Sequence, residues 1–220
     1  MEAANHEIIE AALKLGGTIT GEHGVGTEER QFMTKRFTPV EIAAQRAIKT
    51  GFDPAGLLNP GIMLPDLSPE EPDVSTFVLA VRDVLRGNIE VPAPVAFTTG
   101  GNTDIAVILG YLSLVVGAEA TVDQINRYLQ HAVACAAVPG SGRDRTIGEV
   151  VATATGDERI EIRHGLVGAD VTIVDSQARA RFGGENMKDV AGYDTKRLYV
   201  GAHGAFGALK TLIFKIAVKV

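Results

Sequence analysis

The chain of 220 residues has no tryptophan, one cysteine and only 5% aromatic residues. With few large rings, its core must pack through small and aliphatic side chains. The 25 glycines fit that picture, because they allow close approach of backbone to backbone or to a ligand. The lone Cys135 excludes an intrachain disulfide and points to a reducing, cytoplasmic compartment. The N-terminus lacks a basic segment followed by an apolar core, so no signal peptide is expected. Long apolar runs are also missing. The longest, Ile105 to Ala118, is broken by Gly110, Ser113 and Gly117 and is too short for a membrane span. The net charge of −6 argues against a nucleic-acid groove or an anionic membrane surface as partner, although a local positive site could still hold a phosphate.

What is present is the composition of a globular protein, with 45% hydrophobic and 22% charged residues, enough for one or two domains. Helical spacing of Ile8, Ile9, Ala12 and Leu13 predicts a helix over Ala3 to Leu15, and Thr18 to Thr20 alternates like a short strand. Thr38, Pro39 and Glu41 mark a capping box opening a helix that Gly51 ends. Asp66 to Pro72 reads as a linker. Asp73 opens a further helix with Val74, Phe77, Val78, Val81, Val84 and Leu85 as its apolar stripe, closed by Gly87. Beyond it the pattern turns to strands: Ile89 to Phe97, Ile105 to Val116, Thr146 to Thr155, Val171 to Val174, Ala178 to Phe182 and Leu209 to Val218. A helix over Thr121 to Val133, boxed by Thr121 and Gln124, interrupts them, and Asp175-Ser176-Gln177 reads as a hairpin bend.

Two glycine-rich stretches could carry chemistry. Pro139 to Gly148 is a basic loop whose N–H groups, with Arg143 or Arg145, would suit a pyrophosphate; a solvated connector would have the same composition. Gly183 to Asp194, followed by Gly201, Gly204 and Gly207, could bring bare backbone against a flat ring or a phosphate; tight packing of a turn on a sheet gives the same pattern.

The same residues carry a resemblance. Arg181 to Glu185, Met187-Lys188, Val190 to Asp194 and Arg197-Leu198 closely resemble the FAD-binding subunit of bacterial glycolate oxidase. The order Thr146-Ile147-Gly148, Arg163-His164-Gly165, this block, then Gly201 to Leu209 resembles the second half of the FAD-binding domain of the vanillyl-alcohol oxidase and para-cresol methylhydroxylase (PCMH) superfamily, over residues 73–220. Gly17 to Gly26 and Asp53 to Gly61 resemble instead the C-terminal end of the catalytic, FAD-linked oxidase subunit of the same enzyme. The chain reads as the tail of one subunit joined to the flavin domain of the next.

The resemblance implies an α+β chain: a segment 1–65 like the oxidase C-terminus and small and helical, a linker 66–72, and a shortened PCMH-type FAD-binding domain 73–220 with a mixed or antiparallel sheet and flanking helices. It implies FAD as cofactor. Gly100, Gly101, Asn102 and Thr103 would form the pyrophosphate loop. Thr146, Ile147 and Gly148, and Gly201, Gly204, Gly207 and Leu209, would lie along FAD through their backbone, and Asn59 would face the ring. His23 would take the hydroxyl proton of a small 2-hydroxy acid while hydride passes to the flavin, and Glu22 would ligate a divalent metal. Other glycolate-oxidase-like subunits are the implied partners, with neither nucleic acid nor a membrane span. The chain departs from the family at Glu149, where a second glycine is usual, and at Thr99, where an arginine is usual. Those departures favour a competing reading, a non-catalytic remnant that keeps the fold and a subunit contact.

Overall fold

The structure is a computed structural model that describes residues 2–87, 102–131, 142–186 and 188–217. The expected strand over Ile89 to Phe97, together with Thr99, Gly100, Gly101, Cys135 and Met187, lies outside the described residues. The chain is α+β. Helices α1 (Glu2–Lys14), α2 (Met33–Arg36), α3 (Pro39–Phe52) and α4 (Ser75–Arg86) precede a hairpin of β1 (Ile105–Ile108) and β2 (Ser113–Gly117). Then come α5 (Val122–His131), α6 (Ile147–Thr153), α7 (Gly156–Gly165), β3 (Leu166–Thr172), β4 (Arg179–Gly183) and β5 (Leu209–Lys215). The five described strands form one antiparallel sheet in the order β1-β2-β5-β3-β4. None of the helices among the described residues is long and apolar enough to cross a membrane.

Among the described residues, capping boxes begin three helices. Thr38 accepts the Glu41 N–H while Glu41 Oε2 accepts the Thr38 N–H at 2.8 Å. Thr121 and Gln124 form the same exchange ahead of α5. Thr146 and Glu149 form a third, which corrects the expected strand over Thr146 to Thr155. The β-branched run Val150, Val151 and Thr153 looks strand-like, but the box satisfies orphan N–H groups at the start of a helix, and α6 follows. Helix α4 has a more distant cap. Asp175, in the β3–β4 turn, accepts the N–H groups of Thr76 at 3.0 Å and Phe77 at 2.9 Å. The expected Asp73 accepts only the Ser75 N–H among backbone donors, and Gly87 ends the helix in the left-handed conformation as expected.

Two other expectations are corrected. Thr18 to Thr20 is not a strand. Ile105 to Val116 is not one strand but a tight hairpin, with Leu112 at φ 50° and Ile105 paired to Val116. The hairpin bend at Asp175 to Gln177 is present, with Gln177 at φ 54° and β3 and β4 paired across it.

The main core lies against the sheet. Leu114, Ile125, Ile147, Ile162, Leu166, Phe206 and Leu212 fill it, and α4 adds Phe77 and Val81. Ala44, Ala47 and Ile48 of α3 belong to the same cluster, so residues before 65 and after 73 share one hydrophobic interior. A smaller cluster of Ile9, Ile19, Phe32, Met33, Phe37 and Leu64 holds the N-terminal loops and reaches Ala191 on the other side. The stretch read as a linker is tied down as well: Glu71 pairs with Arg46 of α3 at 2.8 Å, and Asp66 pairs with Arg30.

Candidate functional site

The segment 181–194 is bonded to the first 65 residues. The Arg181 N–H donates to Glu41 Oε1 at 2.6 Å, so the carboxylate that caps α3 also holds the start of the motif. Fully buried Gln45 accepts the Tyr193 N–H at 3.0 Å. Its amide oxygen occupies the place of any Cβ on Gly192, whose φ is 82°. Arg36 donates to the Gly183 carbonyl at 3.3 Å and to Asp189 at 3.2 Å, and the Thr18 hydroxyl donates to the same carboxylate at 2.7 Å. Buried polar groups of this kind impose direction as well as stability, since each unmade bond leaves a desolvated atom.

Where α3 ends against this motif, an apolar cleft of about 550 Å³ opens. Ile48, Lys49, Phe52, Asp53, Leu58, Asn59, Ile62 and Met63 from the first 65 residues line it together with Tyr193, Asp194 and Leu198. Asn59 stands in the left-handed conformation at φ 45°. The loop before it is held by Asp53, which accepts the N–H groups of Leu57 at 2.9 Å and Leu58 at 2.8 Å. A hydrogen bond from Lys49, with those two amides, keeps the Asp53 carboxyl below its ordinary 3.8 against the opposing effect of burial. Size and apolar lining suit a flat ring.

Glu22 and His23 are placed on the loop after α1, where His23 is exposed and is not among the residues lining the cleft. Glu22 forms an ion pair with Lys188. Among the described residues no three His, Cys, Asp or Glu side chains gather as metal ligands, so the divalent metal expected at Glu22 does not fit the donors present. Glu29, absent from the sequence reading, lies near His23. Burial and the neighbouring Glu28 push its carboxyl above the ordinary 4.5 while His23 pulls it down, and its Oε2 is buried without a hydrogen bond. A glutamate in a polar loop gives no sequence signal of that kind.

Most of the main-chain N–H groups expected to lie along FAD have partners inside the fold. The Thr146 N–H donates to Glu149. Those of Ile147 and Gly148 donate to the carbonyls of Ala120 at 2.9 Å and Ala118 at 2.8 Å. The Gly201 N–H donates to Val151 O and the Gly207 N–H to Gly204 O. Leu209 sits in β5 opposite Val171. Asn102 turns its side chain to the Asp104 N–H and to Thr211, and borders a separate hollow on the sheet; Thr103 is exposed. The Glu149 carboxylate is folded back as a helix cap. The cleft has the size and apolar lining for a flat ring, whereas these amides are bonded within the fold; Gly100 and Gly101 of the expected pyrophosphate loop lie outside the described residues.

Residues 1–63 match the family "FAD linked oxidases, C-terminal domain". The glycolate oxidase subunit GlcD of Bacillus subtilis is 48% identical over 63 residues, 29% of this chain and 13% of that protein. An uncharacterised FAD-linked oxidoreductase of Mycobacterium tuberculosis is 47% identical over 60 residues, 27% of this chain and 13% of its own length. The mitochondrial D-lactate dehydrogenase [cytochrome] of Arabidopsis thaliana is 38% identical over 64 residues, 29% of this chain and 11% of its own. The stretch shared with each relative thus spans 13% or less of that relative.

Proposed function

We propose that this chain is a component of an FAD-linked 2-hydroxy-acid oxidoreductase of the glycolate oxidase type, working in an assembly with further subunits. The observation that carries the reading is the position of the cleft. Its lining combines residues of the stretch similar to the C-terminal domain of FAD-linked oxidases with residues of the motif resembling the FAD-binding subunit. In this reading residues 73–220 are a shortened PCMH-type domain, and the flavin ring lies in the cleft at Asn59. Bound FAD would supply the hydride chemistry; the chain's own part is to hold the ring in an apolar setting. His23 belongs to the substrate side only once another subunit covers its exposed loop.

A second reading is favoured by the internal bonding of Thr146, Ile147, Gly148, Gly201 and Gly207. In it the chain is a structural subunit that no longer holds FAD tightly. Incubation with FAD followed by removal of free cofactor separates the two. Flavin absorption that stays with the protein upholds the first reading, and a colourless protein leaves the second. The isolated chain is expected to reduce a dye with glycolate only feebly. Vigorous turnover by the chain alone, abolished in His23→Ala, would contradict the need for an assembly.

A further inference from the structure

Helix α7 carries two arginines four residues apart on one face, Arg159 and Arg163. Neither makes an ion pair with a described residue, and the Nε of each is buried without a hydrogen-bond partner. Arg159 lies over Gly201, whose φ is 71° and where any Cβ would meet the arginine Nε at 3.1 Å and Cδ at 3.2 Å. Arg197, on the short 3-10 turn at Thr195–Tyr199, is near enough for its charge to act on Arg163. The acid at hand, Asp194, is already engaged by Lys196 at 2.6 Å and Arg197 at 3.1 Å. Burial, then the charges of Arg159 and Arg197, depress the Arg163 pKa, and Asp194 only partly offsets them.

Arg159 and Arg163, partly buried and each with an unpartnered Nε, are costly side by side unless an anion joins them, while exposed Arg197 already shares Asp194. We infer that Arg159, Arg163 and Arg197 form an oxyanion site that takes a phosphate group. Its fork-like donors suit bidentate contacts to phosphate oxygens. Asp194 connects the site to the apolar cleft, which it also lines. The inference does not rest on the flavin reading, because an inorganic oxyanion is enough to test it.

Inorganic pyrophosphate and ADP are the probes, with binding followed by calorimetry and thermal unfolding of the full chain. Pyrophosphate is expected to bind once per chain and to raise the melting temperature. Arg159→Gln and Arg163→Gln should each weaken it at least about tenfold, the loss of a charge-assisted contact, while Lys215→Gln on β5 should bind as the parent does. Without ligand, Arg163→Gln should be as stable as the parent or more so, since it relieves like-charge crowding. Tighter binding of ADP than of pyrophosphate assigns a nucleotide, and equal or weaker binding assigns a free oxyanion; both uphold the site. Absence of pyrophosphate binding, unchanged binding in the two glutamine variants, or unfolding of Arg163→Gln would overturn it.

Discussion

At the scale of single residues, two side chains have outsized consequences. Gln45 is fully buried, and its amide oxygen serves the Tyr193 N–H in the space Gly192 leaves open. Gly192→Ala must displace that amide and adopt a positive φ. The expected cost is at least about 2 kcal/mol, read from urea unfolding; a loss within about 0.5 kcal/mol would mean that the joint is loose. Glu29 works in the opposite direction. Its raised pKa means that the folded state binds a proton more tightly than the unfolded chain, so its charge weakens the fold at neutral pH. That penalty fades as pH falls through the raised value toward 4.5. Glu29→Gln should therefore be more stable at pH 7, by less than about 1 kcal/mol because the group is partly solvated. The advantage should disappear in acid, and melting curves across that range would reveal an advantage that instead persists.

At the scale of elements, caps decide more than propensity does. The boxes at Thr38 and Thr121 were legible because each sits ahead of a clear helical stripe. The box at Thr146 was hidden: Ile147, Val150 and Val151 satisfy a strand pattern equally well, and only the folded hydrogen bonds distinguish the two. The same ambiguity extends to Glu149, which looks like a misplaced charge at a phosphate loop but is a helix cap. Glu149→Gly should cost about 1 kcal/mol or more through loss of the cap and of helix propensity, with no gain in FAD affinity. A gain in affinity would restore the view that this carboxylate opposes the cofactor. The distant cap of α4 was not legible at all, because Asp175 lies about a hundred positions along the chain. Asp175→Ala should destabilise by about 1–2 kcal/mol in chemical denaturation; an unchanged midpoint would assign the cap to Asp73 instead.

At the scale of the whole molecule, the division into residues 1–65 and 73–220 follows what each part resembles, while the packing joins them. Helix α3 lies in the main core, and Glu41, Gln45 and Arg36 bond to the motif beyond residue 180. Sequence pattern marks apolar faces but not which distant surface covers them, so this joint could not be read in advance. Glu71 adds a pH signature to it. Burial opposes its charge, but hydrogen bonds from Arg46 and the Ser68 N–H prevail and hold the carboxyl below the ordinary 4.5. A lowered acid stabilises the fold above its unfolded pKa and loses that contribution as pH falls through the folded value. The chain should melt in one transition whose midpoint declines below about pH 4.5, less steeply in Glu71→Gln. Two separate transitions would mean two independent units.

The cleft at Asn59 supports the functional account more than any other feature, and blocking it is the direct test. FAD is titrated against the full chain and against Ile62→Trp, which fills the cleft from a partly exposed position, and quenching of flavin fluorescence is followed. The account predicts saturable quenching by the parent and at least about tenfold weaker binding by the variant, the loss of one apolar contact surface. Equal quenching by both proteins, or none by either, would contradict it.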